Sequence, residues 1–302
     1  MITPARTSGK CGPISNSRSQ ITPVMVKLQP MEWIYLSPHL DDVALSCGGL
    51  VWEQSRAGDS VSIWTICAGD PPPGPLSPFA ESLHSRWKTG RQAIERRRSE
   101  DIAACSRLGS AYRHFQIPDC IYRLAPGSDE HLYTTEESLF GELNVREENL
   151  IQSLSAELAC SLSPDAQVAC PLSLGGHVDH RLTRAAASGL ARSLYYYADY
   201  PYVLDAWGEI QRLQDQGWKA QHFLISARGM AAWQTAVGEH TSQISTFWDA
   251  DAEMRKALHN YNNQMGGISL WLPPENVRPM HPKTGAVQNS SAQQGRGSLH
   301  SA

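Results

Sequence analysis

Trp33-Ile34-Tyr35-Leu36-Ser37-Pro38-His39-Leu40-Asp41-Asp42-Val43-Ala44-Leu45-Ser46-Cys47-Gly48-Gly49-Leu50-Val51 is the stretch that decides the fold. Trp33 to Leu36 is a short apolar run of the length and bulk of a buried strand. Val43, Cys47, Leu50 and Val51 then recur at helical spacing until Gly58, which closes the helix. Val61 to Cys67 reads as the next strand. Strand, helix and strand with such short joints form a right-handed crossover between parallel strands. The turn from Ser37 to Asp42 therefore falls at the carboxyl edge of the sheet, where open α/β sheets bind their ligands.

Working outward, the segment from Gly69 to Gly90, with Asp70-Pro71-Pro72-Pro73-Gly74, reads as a long rim or lid loop. Helical pattern resumes over 91–108, a strand fits Tyr112 to Gln116, and a helix fits 143–162. Gln167 to Cys170 reads as a strand that ends in a turn over Pro171 to His180, followed by a helix over 180–194. Tyr195 to Ala198 reads as a further strand and Val237 to Tyr261 as a single helix. The alternation predicts an α/β fold: a Rossmann-like three-layer sandwich with a mostly parallel sheet and the active site at the carboxyl edge of its strands. Residues 31–272 form the expected domain. Residues 1–30 read as a flexible leader, and 273–302, rich in Pro, Ser, Gln and Gly, as a disordered tail.

A chain of 302 residues with 41% hydrophobic content can bury a full core. Its formal charge of −4 offers no general attraction to phosphate backbones, so nucleic acid is not an expected partner. The 7 cysteines are odd in number, scattered and without a Cys-x-x-Cys pair, which argues against a disulfide framework and against a thiolate zinc site. No apolar run reaches the length of a membrane span. A cytoplasmic location is the expectation; the oligomeric state is not legible.

Two clusters carry the chemistry, Pro38-His39-Leu40-Asp41-Asp42 and His177-Val178-Asp179-His180. His39 and Asp42 lie three positions apart across a strand-to-helix turn, where an imidazole and a first-turn carboxylate can bend toward one point. His180, from a turn far along the chain on the same sheet edge, supplies a third donor. Two imidazoles and one carboxylate leave the fourth position of a tetrahedral zinc ion open, as catalytic sites require. Zinc lowers the pKa of water from about 15.7 to roughly 7, so a nucleophile becomes available at neutral pH. Asp41 diverges from Asp42 by about 100° around the helix and is assigned as general base. The helix amino terminus and the cation are both expected to depress its pKa. His177 is placed to reach the carbonyl oxygen of an acyl group and, as imidazolium, to stabilise an oxyanion. Asp179 is placed to fix a histidine tautomer.

These residues resemble the PIG-L or LmbE-like zinc N-deacetylases, which share a Pro-His-x-Asp-Asp motif after the first strand and a late His-x-Asp-His motif. The resemblance implies His39, Asp42 and His180 as zinc ligands, Asp41 as base and His177 as oxyanion partner, in agreement with the reading from the residues alone. Weaker similarity runs through Ser46-Cys47-Gly48-Gly49, Ile117-Pro118-Asp119 and Thr241-Ser242-Gln243, so that it spans about 33–272. Val43 stands where many members have Glu directly after the Asp pair. The resemblance implies hydrolysis of an N-acyl amino sugar or its glycoconjugate, without naming the aglycone.

Blander readings stand beside these. An isolated Asp-Asp pair before a helix is ordinarily a cap, and an isolated turn histidine is ordinarily solvated. The arginine run at 96–98 reads as a solvated helix face and is left out of the site. Tyr195, Tyr196, Tyr197, Tyr200 and Tyr202 read as strand and edge packing rather than a sugar platform. Asp119 is either a turn residue or, as the resemblance implies, a partner of substrate hydroxyls, and Cys47 reads as an inert core thiol. Two rival functions use the same residues: a mononuclear Fe(II) oxygenase, whose facial triad is also two His and one carboxylate, and a non-catalytic Rossmann-like binding module.

Overall fold

The computed structural model describes residues 29–87 and 93–274. The expected leader and tail lie outside these residues, except for the few at their inner ends. In chain order the elements are β1 (Glu32–Ser37), α1 (Asp42–Ala57), β2 (Ser60–Thr65), α2 (Pro78–Trp87), α3 (Ala93–Leu108), β3 (Ala111–His114), α4 (Glu136–Leu139), α5 (Glu148–Ser161) and β4 (Gln167–Pro171). They continue with α6 (Val178–Ser188), β5 (Leu194–Tyr197), α7 (Trp207–Asp215), β6 (Lys219–Phe223), α8 (Ala227–Glu239), α9 (Thr241–Phe247), α10 (Asp251–Met265) and β7 (Ile268–Leu272).

The strands form one sheet in the order β3-β2-β1-β4-β5-β7-β6. The first five are parallel, and β7 runs antiparallel to both β5 and β6. After β1 the chain winds outward through β2 and β3, then returns to lay β4 and β5 on the other side of β1. The winding reverses between β1 and β4, and ligands of open α/β sheets bind in the crevice at that point. Both sequence clusters follow those two strands.

β1 is buried at every position after Glu32, as a parallel strand covered on both faces requires. α1 packs on α3 and α8 through a core that includes Val43, Cys47, Leu50 and Trp233. Gly48 permits the closest of these contacts: a Cβ there would sit 2.5 Å from Trp233 Cδ1. The indole is fully buried and its Nε1 donates to Ala44 O at 2.7 Å, so it has little room to move. Gly48→Ala should therefore cost about 1–3 kcal/mol, the usual range for overpacking, as a fall in the midpoint of chemical denaturation; an unchanged midpoint would mean that Trp233 has space to shift.

The alternation, the crossover and all five strands expected from the sequence are present. Four expectations need correction, and two strands lie outside the expected set. The helix expected over 180–194 runs over Val178–Ser188, and Leu194 opens β5. The 69–90 segment contains a ten-residue helix, α2, rather than loop alone; Ala80, Leu83 and His84 bury one face of it against a small core that includes Ile121 and Tyr122. The single helix expected over 237–261 is three, because the chain breaks at His240 and again over 248–250. The helix expected over 143–162 starts only at Glu148, after a turn over Val145–Glu147. β6 and β7 were not expected: β6 is a mostly exposed Lys-Ala-Gln-His-Phe edge strand, which carries no apolar run for sequence reading to find.

Candidate active site

The turn after β1 is tied by Ser37, whose hydroxyl donates to His39 O at 2.7 Å and accepts from Val43 N at 3.2 Å. Asp41 occupies the N-cap position of α1 but makes no side-chain cap bond, so its carboxylate is not spent on the helix. Asp42 Oδ2 accepts from His39 N at 2.7 Å, which turns the His39 ring toward the same oxygen, with Nδ1 at 3.1 Å. The capping reading of the Asp pair fails for both residues.

The second cluster follows β4. Gly175 and Gly176 both have φ +77°, in the left-handed region, and a Cβ on Gly175 would meet Tyr202 Cδ1 at 2.6 Å. That turn delivers His177 to the start of α6, with Asp179 and His180 in its first turn. His180 Nε2 then lies 3.4 Å from Asp42 Oδ2, outside hydrogen-bond geometry, and is buried with no hydrogen-bond partner. The His39, His177 and His180 rings cluster, with centroids 4.9 to 5.5 Å apart. Four of the five residues expected to act, His39, Asp42, His177 and His180, are thus brought together, and Asp41 stands beside Asp42 at the N-cap.

Each imidazole facing Asp42 is held from behind by another carboxylate. His39 Nε2 is 3.0 Å from Asp179 Oδ2, and His180 Nδ1 is 2.6 Å from Asp199 Oδ1. Metal-binding histidines characteristically carry a carboxylate on the far ring nitrogen, which leaves a lone pair on the near one. The near nitrogens, His39 Nδ1 and His180 Nε2, both face Asp42 Oδ2. The donor set and the unpartnered His180 Nε2 fit a divalent cation. His39, His177 and His180 bring donor atoms within 4.8 Å of one another, whereas among the described residues no such group includes Asp42, so His177 is a geometric rival to Asp42 as third ligand.

The electrostatics point the same way. Burial opposes a charge on His180, but Asp42 and Asp199 outweigh it and lift its pKa to about 9. Burial likewise opposes a charge on His39, yet Asp42 and then Asp179 hold its pKa well above the ordinary value. Asp42, despite burial, is held well below the carboxylate range by His180 and His39. Five buried carboxylates, Asp41, Asp42, Asp119, Asp179 and Asp199, surround these rings. Such a field favours positive charge, which the imidazoles or a bound cation can supply.

Burial, and to a lesser degree Asp42, raises the pKa of Asp41, with Arg97 as the chief opposing influence, so the protein's own groups work against the depression that a bound cation would bring. One expectation changes. His177 is pushed down to about 3 by burial and by His39, so its ring is neutral rather than imidazolium. Its Nδ1 accepts from Asp179 N at 3.2 Å, which leaves the ring proton on Nε2. Asp179 fixes the tautomer of His39 through its side chain and that of His177 through its backbone.

Sequence reading missed two residues here. Arg97 is not on a solvated face: it is 6% exposed, with Nη2 3.6 Å from Asp41 Oδ1 and Nη1 3.9 Å from Asp119 Oδ2. Its neighbours Arg96 and Arg98 are more exposed, so helical phase distinguishes them. Asp199 follows β5 on the same carboxyl edge, a position that the strand assignment could have flagged. Asp119 is both a cap, accepting from Ile121 N at 3.3 Å, and a site carboxylate, 3.8 Å from His39 Nε2. Tyr196, Tyr197 and Tyr200 are buried packing, as expected; Tyr202 instead sets its ring 5.6 Å from that of His180. Cys47 is a buried free thiol.

Residues 34–191 match the family model described as GlcNAc-PI de-N-acetylase, PIG-L. The 2'-N-acetylparomamine deacetylase of Niallia circulans is 27% identical over 240 residues, 74% of this chain and 84% of that protein. The enzyme of the same name from Streptomyces fradiae is 31% identical over 176 residues, 56% of this chain and 57% of its own. The crystal structure of the zinc-inhibited form of a teicoplanin deacetylase superposes with a TM-score of 0.67 at 26% identity, covering 82% of this chain and 100% of that one. Fold and relatives together define an enzyme, an N-deacetylase. The chain belongs to the GlcNAc-PI de-N-acetylase family. The oxygenase and the non-catalytic module both give way to this result. Among the described residues, no helix is long and apolar enough to cross a membrane.

Proposed function

We propose that this enzyme removes the N-acetyl group from an amino-sugar conjugate, with a zinc ion held by His39 Nδ1, Asp42 Oδ2 and His180 Nε2. The observation that carries the reading is the paired backing of the two histidines by Asp179 and Asp199, with His39 Nδ1 and His180 Nε2 left 3.1 and 3.4 Å from Asp42 Oδ2. The relatives named for N-acetylparomamine and teicoplanin support a glycoside-like substrate. When bound, such an ion supplies Lewis acidity, lowering the pKa of water toward neutrality and polarising a carbonyl.

The chain supplies the rest. Asp41 takes a proton from the attacking water as the carbon–oxygen bond forms. His177 donates its Nε2–H to the carbonyl oxygen as negative charge develops there. Asp41 then returns its proton to the sugar nitrogen as the carbon–nitrogen bond breaks, and the proton left on the new carboxyl group passes to the amine, so that one water and one amide give acetate and a protonated amine. Arg97, beside Asp41, holds the base in place and opposes its protonation.

Acetate release from N-acetylglucosamine, 2'-N-acetylparomamine and related N-acetylated amino sugars, before and after chelation and after zinc is restored, tests the reading. Release from at least one member, abolished by chelation and recovered with zinc, is expected. Undiminished release from fully stripped protein would overturn the metal, and no release from any member the substrate class.

A further inference from the structure

Asp179, on which His39 rests, is itself held by a buried guanidinium. Arg123 is 4% exposed, and its Nη1 donates to Asp179 Oδ1 while Asp179 Oδ2 faces His39 Nε2. The same nitrogen lies 3.3 Å from Pro118 O, and Cys120 N donates to Asp179 Oδ2 at 3.0 Å. The Arg123 Nε donates to Glu147 Oε1 at 2.5 Å, and the Tyr133 hydroxyl donates to Glu147 Oε2 at 2.5 Å. Tyr133 also sets its ring 5.4 Å from the Arg123 carbon. Arg123, Asp179 and Glu147 are all essentially dry, where ion-pair geometry is least forgiving.

The placement of Glu147 gives this network a second consequence. Arg123 and Glu147 bracket residues 124–146, an excursion between β3 and α5 that carries α4. At the end of α4, Phe140 is 42% exposed and turns its ring onto His177, with centroids 5.4 Å apart. One guanidinium therefore ties together the base of this excursion and the carboxylate behind His39.

We infer that Arg123 is a positioning residue for His39: it fixes Asp179, and through it the ring that presents Nδ1, while its bond to Glu147 keeps the 124–146 excursion closed against His177. This rests on the reading of His39 as a metal ligand. A fork that grips two carboxylates at once is a task for Arg, since the Lys ammonium is a point donor on a flexible stem.

Zinc affinity, read by competition with a chelator of known strength, tests this without reference to any substrate. Arg123→Met should lose about 10–100-fold in affinity, the usual effect of removing an outer-shell partner. Asp179→Asn should lose a similar amount, and Arg123→Met/Asp179→Asn no more than Asp179→Asn alone, because Arg123 acts through that carboxylate. A merely structural role would instead make the two losses multiply. Unchanged affinity in Arg123→Met, or multiplied losses in the double variant, overturns the inference. If Arg123→Met does not fold, Arg123→Lys keeps the charge without the fork and should still bind zinc more weakly than the parent; parental affinity there overturns the inference too. If the parent itself retains zinc no better than His39→Ala does, the reading of His39 as a ligand has failed.

Discussion

Asp41→Asn should lower kcat by at least ~10²-fold, the low end of general acid–base contributions, while the protein keeps its full complement of zinc. The substitution is nearly isosteric and removes one charge and two proton-transfer steps, from water and to the leaving nitrogen. Asp41 touches none of the proposed donor nitrogens at hydrogen-bond distance; its nearest charged partner is Arg97, 3.6 Å away. Metal content should therefore be preserved, as measured by elemental analysis of the purified variant. The environment suits a base, because burial holds the Asp41 pKa above the ordinary value while Arg97 keeps the charged form accessible. Unchanged turnover would remove Asp41 from the mechanism. Loss of zinc together with turnover would make Asp41 part of the metal centre instead.

His177→Ala should cost about 10²–10³ in kcat, the range for deleting an oxyanion donor, again with zinc retained. The ring is neutral and its Nδ1 is occupied by the Asp179 amide, so what the substitution deletes is a single Nε2–H. A neutral donor has an advantage over the imidazolium first expected: it adds no second full charge next to a cation. His177→Ala is also the variant that separates two donor sets, because His177 shares a 4.8 Å cluster with His39 and His180. Should zinc leave with the ring, His177 is a ligand and not the oxyanion donor. Both variants are read with kcat and KM measured separately, since groups that act only in the transition state lower kcat and kcat/KM alike.

Much of this site is legible in sequence because its two halves are local. His39 and Asp42 meet across a single turn, and His177, Asp179 and His180 share another, so that spacing alone puts compatible donors side by side. The strand runs before both turns are apolar enough to place them on one sheet edge. Less legible are the residues whose role depends on which way a helix faces. Arg97 lies between Arg96 and Arg98 in a run that is charged throughout, and no pattern within the run marks the member turned inward. α2 was similarly hidden, since Ala80, Leu83 and His84 form a short buried face in a Pro-rich segment that reads as loop.

The sequence by itself determined the β1-α1-β2 crossover, the carboxyl-edge position of both clusters and the five residues expected to act, because each is written in local spacing and hydrophobic period. The tertiary structure decided the partners: Asp199 behind His180, Arg97 beside Asp41, and Arg123 between Asp179 and Glu147. It also decided the directions in which burial and neighbouring charges move the pKa of His177 and of Asp41. These depend on burial and on charges contributed by remote parts of the chain, and interaction between buried charges is set by distance in space rather than separation in sequence.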